Sequence, residues 1–259
     1  MKVMALTTDG KLTYCTTLPE NRGKGRCNHV DHQDENESEE EFIKRVAKNL
    51  IKQASANEKD EIFNLSNSEK LELVSNHENL DLLVNDRDGI VRIAVLKQGY
   101  GLDKLISDND YRVRAEVARQ GYGLDRLVDD ENWYVRRAVA EKGYGLDKLI
   151  DDKDADVRAA VAEHGFGLDK LVDDEDPYVK EQVAKQGYGL DKLIDNENTI
   201  VRIAVAEQGY GLDKLIKDEN WAVREAVAKQ GFGLEELIND ENYLVRKAAK
   251  QSYGIDVDS

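Results

Sequence analysis

The chain has 259 residues, 35% of them charged, with 53 Asp and Glu against 37 Lys and Arg and a formal net charge of −16. That balance argues against broad contact with phosphate backbones, which needs clustered cations to displace counterions. No run of apolar residues is long enough to span a bilayer, MKVMALTTDGKL lacks a secretory apolar core, and only Cys15 and Cys27 are present. A soluble protein of the reducing cytoplasm is expected, not a membrane protein or a disulfide scaffold.

The N-terminal stretch alternates apolar and polar residues around Asp9-Gly10, which predicts a β-hairpin. A glycine-rich basic loop, PENRGKGRCNHVDHQ, follows, then an acidic run and an amphipathic helix from about Glu39 to Gln53. Phe42, Ile43, Val46, Leu50 and Ile51 fall on the apolar face of that helix. Residues 1–55 thus read as a hairpin-helix module, and 56–79 as a linker and N-terminal cap carrying SEKLELVSNH. Cys15, Cys27, His29 and His32 lie close together in the module, spaced C-x11-C-x-H-x2-H. One reading is a structural zinc site that ties together a unit with little core. The other is a pair of buried thiols beside solvent-facing histidines, because the paired C-x2-C of common zinc motifs is missing. Arg22, Lys24 and Arg26 on the loop suggest phosphate binding, with His29 or His32 as acid–base groups. The stretch matches neither a Walker A sequence nor a dinucleotide fingerprint, and the chain is expected not to be an enzyme.

From residue 80 onward one phrase is written eight times: leucine recurs at Leu80, Leu102, Leu124, Leu146, Leu168, Leu190, Leu212 and Leu234, always 22 residues apart. In the copy LDRLVDDENWYVRRAVAEKGYG, Leu124, Leu127 and Val128 stripe one short helix, and Val135, Ala138 and Val139 stripe a second. Asn132 is placed to cap the second helix. Gly143 stands where a left-handed residue would end it. Helices this short are marginal alone, so the copies must stack into a shared core. The aromatic that recurs from Tyr100 to Phe232, twice Phe in place of Tyr, reads as packing. The recurring arginine (Arg92, Arg114, Arg136, Arg158, Arg202, Arg224, Arg246) is tempting as an anion site. It reads instead as a ladder of charge-assisted bonds to the acidic inter-helix loops. The last copy, VRKAAKQSYGID, puts Ser252 where glycine recurs and reads as a C-terminal cap.

The string DDENWYVRRAVA resembles the D-x-x-x-V-R-x-x-V-A core of variant leucine-rich repeats and of short HEAT-like repeats. The resemblance covers about residues 80–255 and implies a right-handed α-solenoid. Some variant leucine-rich repeat proteins carry a cysteine-rich iron–sulfur segment, but this chain lacks the four cysteines such a cluster needs. The expected fold is an all-α solenoid over 80–259, a right-handed superhelix of two-helix repeats, behind a small hairpin-plus-helix module.

Where the copies agree they build scaffold, so function is expected where they differ. Frame positions 10, 11, 14 and 18, counted from the recurring leucine, vary most, and 11, 14 and 18 share one face of the second helix. Trp133, Tyr134, Arg137, Tyr178, Ile200, Ile203 and Trp221 are the candidate partner-binding residues. The leading expectation is a non-catalytic interaction protein that binds a protein partner with a basic surface, such as a nucleic-acid-binding protein. Alternatives are an inhibitor that mimics nucleic acid, a nucleic-acid-binding HEAT-like solenoid, and a small N-terminal enzyme on a solenoid scaffold.

Overall fold

Two left-handed glycines per repeat set the path of the chain. At Gly143 (φ 72°) the second helix of a repeat stops, and at Gly145 (φ 63°) the next begins. The Gly143 amide donates to the Ala140 carbonyl at 2.7 Å and the Tyr144 amide to Val139 at 3.4 Å, a pairing that satisfies carbonyls left open at a helix end. At Gly145 glycine is required twice over, because a Cβ there would also lie 2.7 Å from Cγ2 of Val128.

The computed structural model describes the backbone of residues 3–6, 12–14, 28–32 and 37–254. The chain divides into two units, Met1–Asn76 and His77–Ser259. In the first, β1 (Val3–Leu6) lies between β2 (Leu12–Tyr14) and β3 (Asn28–His32), antiparallel to both. Met4 faces Tyr14 and Leu6 faces Leu12. The turn residues Asp9 and Gly10 lie outside the described residues. β3 falls within the stretch expected to be loop, where Asn28–His32 pairs along the free edge of β1.

α1 (Glu39–Asn64) opens on a capping box: the Ser38 amide donates to the Glu41 carboxylate at 3.0 Å and the Glu41 amide to Ser38 Oγ at 3.3 Å. It runs well past Gln53, since neither proline nor glycine interrupts it. The segment from 56 is therefore largely helical, in α1 and then in α2 (Asn67–Ser75), which has its own Ser66–Glu69 capping box. Phe42 and Val46 of α1 are buried, but Ile43, expected on the same face, is exposed. The side chains of Leu50 and Ile51 lie outside the described residues.

The second unit consists of eight helix pairs. They are α3 (Leu80–Leu83) with α4 (Gly89–Lys97), α5 (Leu102–Leu105) with α6 (Tyr111–Arg119), α7 (Leu124–Leu127) with α8 (Trp133–Glu141), and α9 (Leu146–Leu149) with α10 (Ala155–Glu163). There follow α11 (Leu168–Leu171) with α12 (Pro177–Lys185), α13 (Leu190–Leu193) with α14 (Thr199–Glu207), α15 (Leu212–Leu215) with α16 (Trp221–Lys229), and α17 (Leu234–Leu237) with α18 (Tyr243–Tyr253). Each second helix packs on the second helix of the next pair, in sequence order, as in an α-solenoid.

The local causes repeat with the sequence. Asn132 Oδ1 accepts the Tyr134 amide at 2.9 Å, capping α8, and Asp130 Oδ1 accepts the Asn132 amide at 2.9 Å one step earlier. Val135, Ala138, Val139 and Ala140 have no exposed surface and form the seam with neighbouring second helices, while Leu127 and Leu149 fill the space beneath. Leu124, by contrast, is only half-buried. Pro177 sits in the first turn of α12, where no amide donor is needed. In the last copy Ser252 does not stop the helix, so α18 continues to Tyr253 and ends at the left-handed Gly254. No helix among the described residues is long and apolar enough to cross a membrane.

Candidate partner-binding surface

Some of the variable positions of the second helices gather into a cluster that crosses three repeats. The Tyr134 ring stands edge-on to Trp133 (centroids 5.6 Å apart, 86°) and to Tyr111 of the preceding repeat (5.8 Å, 88°). The Arg119 guanidinium lies over the same ring, 4.8 Å from its centroid, within cation–π range. Arg137 Nε is 3.0 Å from Glu141, and its Nη1 is 3.9 Å from Asp156 in the next repeat. Glu141 also lies 3.6 Å from Arg119. The cluster is therefore pre-ordered, with Trp133 and Tyr111 keeping more than a third of their surface in solvent. A rigid aromatic anchor ringed by charge is the composition that dominates interface energetics.

Tyr111 and Arg119 were not among the sequence candidates, although they occupy the frame positions of Trp133 and Glu141 one copy earlier. Tyr178 is half-buried two repeats further on. Burial and the nearby Glu163 push its hydroxyl pKa up, against a lowering influence of Arg137, so it belongs to the same electrostatic neighbourhood. Ile200 is exposed on α14, Ile203 is half-buried on the same helix, and Trp221 is exposed on α16. No ring contact joins these three to the Tyr134 cluster.

The recurring arginine is occupied. Arg136 Nε donates to Asp152 Oδ2 at 2.6 Å and Nη2 to Oδ1 at 2.8 Å, while Nη1 donates to the Asp130 carbonyl at 2.8 Å. The same bidentate fork joins Arg92 to Asp108, Arg114 to Asp130, Arg158 to Asp174, Arg202 to Asp218 and Arg224 to Asp240. These arginines are almost fully covered and their pKa values are raised, chiefly by the hydrogen bond to the aspartate. The grooves along the inter-helix loops, one of them about 950 Å³ and lined by Arg92, Lys104, Asp108 and Arg112, thus carry cations already paired or flanked by carboxylates.

At the other end of the chain, Cys15 and Cys27 lie outside the described residues. His29 and His32 have described backbone in β3 but not described side chains. Among the described residues no group of His, Cys, Asp or Glu is arranged to hold a metal ion, which leaves those four candidates untouched. No protein-family model matches this chain, and no curated protein matches it in sequence.

Proposed function

We propose that the chain is a non-catalytic interaction protein whose second-helix face receives a protein partner with a basic surface. The observation that carries this reading is the Tyr111–Arg119–Trp133–Tyr134 cluster: side chains in contact across a repeat boundary, with Tyr111 and Trp133 exposed and Arg119 and Tyr134 half-buried between them. The sign of the partner's charge comes from the net charge of −16. Six of the seven ladder arginines are committed to an aspartate and the seventh, Arg246, donates to backbone carbonyls, which disfavours phosphate-backbone binding. A right-handed coil like that of variant leucine-rich and HEAT-like repeats would present the face as one continuous side.

The test compares capture by the full-length protein with capture by a Trp133→Ala/Tyr134→Ala/Arg137→Ala variant of matched thermal stability. A partner retained by the first, lost by the second and released by added salt is the expected result. Equal capture by both overturns the choice of face. Salt-sensitive DNA or RNA affinity of the full-length protein at physiological ionic strength overturns the protein-partner reading.

A further inference from the structure

A second surface runs along the turns that join one repeat to the next. The rings of Tyr144, Phe166, Tyr188 and Tyr210 are each 40–42% exposed, too open for residues that serve packing alone. The two phenylalanines in the wider row, Phe166 and Phe232, show that the hydroxyl is dispensable. Three residues after each of the four rings stands an exposed carboxylate: Asp147, Asp169, Asp191 and Asp213. Among the described residues none of these aspartates enters an ion pair.

The chain itself shows what such a ring accepts. Lys104 Nζ lies 5.9 Å from the centroid of Tyr100, the first ring of the row, and that ring is only half-exposed. Lys148, Lys170, Lys192 and Lys214 stand in the same relation to the four later rings but are drawn away from them. Each is paired with an aspartate of the preceding repeat: Lys148 with Asp129 at 2.5 Å, Lys170 with Asp151, Lys192 with Asp173 at 3.2 Å and Lys214 with Asp195 at 2.5 Å. For Lys104 the corresponding residue is Asn85, which cannot hold it as an ion pair. Four aromatic faces are thus left without the cation that covers the first.

We propose that this ridge, from Tyr144 to Asp213, binds an extended basic segment of a partner, seating one Lys or Arg on each ring and its aspartate. Packed helices lie about 8–10 Å apart, and three residues of extended chain cover about 10 Å. The segment therefore carries a basic residue at every third position. The proposal rests on the reading above only for the sign of the partner's charge and assigns it a different surface.

The test uses the full chain and a fluorescent Arg-Ser-Gly repeat peptide long enough to span four rings, at about 0.15 M salt, where long-range attraction is screened. A control peptide of the same composition carries its arginines contiguously. The spaced peptide is expected to bind more tightly than the control. Combined Tyr144→Leu, Phe166→Leu, Tyr188→Leu and Tyr210→Leu replacement, which keeps apolar bulk but removes the π face, is expected to weaken it about tenfold or more. Replacing the three tyrosines by Phe leaves binding intact, and an unchanged melting curve confirms that each variant is folded. Equal binding of both peptides, no binding, or indifference to the Leu variant overturns the proposal. The Trp133→Ala/Tyr134→Ala/Arg137→Ala variant binds the peptide normally; loss there moves the peptide to the other face and also overturns it.

Discussion

The seam between the fourth and fifth repeats and the seam between the fifth and sixth are built from the same parts, with one exchange. At the first, Arg158 grips Asp174 through two bonds of 2.7 and 2.9 Å. At the second, the corresponding residues are Lys180 and Asn196, and no ion pair forms between them. Asn196 still accepts the Asn198 amide at 2.9 Å and still offers its carbonyl to Arg202 at 2.8 Å. Only the charged half of its work is gone. Both partners are exchanged together, so no carboxylate is left buried and unpaired, which would be costlier than losing the pair. α12 packs on α14 just as α10 packs on α12. The apolar seam therefore suffices for stacking where the charged pair is missing.

The largest expected effect breaks the intact seam. Arg158→Ala strands Asp174, whose side chain is 8% exposed, and is expected to cost about 3–5 kcal/mol. Lys180→Ala at the bare seam is expected to stay within about 0.5 kcal/mol, both measured by denaturant unfolding. Equal losses would mean that the ladder is not what separates the two. Next come the glycines, which the seams share. An alanine Cβ at Gly167 (φ +61°) would lie 2.1 Å from Ile150 Cδ1, and at Gly189 (φ +60°) 2.5 Å from Val172 Cγ2. Left-handed strain and overpacking together predict a loss of about 2–4 kcal/mol at either site, so a marked inequality would point to a further difference between the seams.

Acid supplies a third contrast. Burial pulls the Asp174 carboxyl pKa upward, but the Arg158 guanidinium and the Asp176 amide outweigh it and hold it below the ordinary carboxylate value. A depressed folded-state pKa gives stability that is complete above the unfolded value and lost as pH falls through the folded one. Hydrogen exchange followed below about pH 4 should therefore show α10 and α12 losing protection at their shared seam, with no matching loss assignable to Lys180 and Asn196. The smallest effect is a repair: Lys180→Arg with Asn196→Asp together is expected to stabilise by about 1 kcal/mol more than the sum of the single changes. An additive double mutant would show that the new pair does not form.

What could be read from the sequence was whatever the period demanded repeatedly. Asn132 as a cap, Gly143 as a stop and Arg136 as a ladder residue follow from local rules that any one copy displays. The bare seam was not legible in that way. Lys180 and Asn196 are 16 residues apart like every Arg–Asp pair, but until that register is known their exchange looks like ordinary drift. Strict recurrence also hid the exposure of the rings, since a half-open aromatic and a buried one leave the same periodic mark. Tyr111 joined the Tyr134 cluster only through contact across a repeat boundary, which reading copy by copy cannot reveal. In the first unit, β3 and the full length of α1 were missed because no repetition reinforced a weak local pattern.

Every ladder arginine before the last reaches forward to the next repeat, so the array has a grammar of endings and beginnings. A whole unit can be excised wherever the ending and beginning brought together still agree. Removing residues 146–167 would set Arg136 against Asp174, a pair of the same type and register as those it replaces. Removing 190–211 would instead set Lys180 against Asp218, a lysine before a carboxylate shaped for a fork. Removing 168–189 would likewise set Arg158 against Asn196. The fifth and sixth repeats are thus the two units whose excision leaves a mismatched join, and duplications or deletions of repeats should be tolerated unequally along the chain.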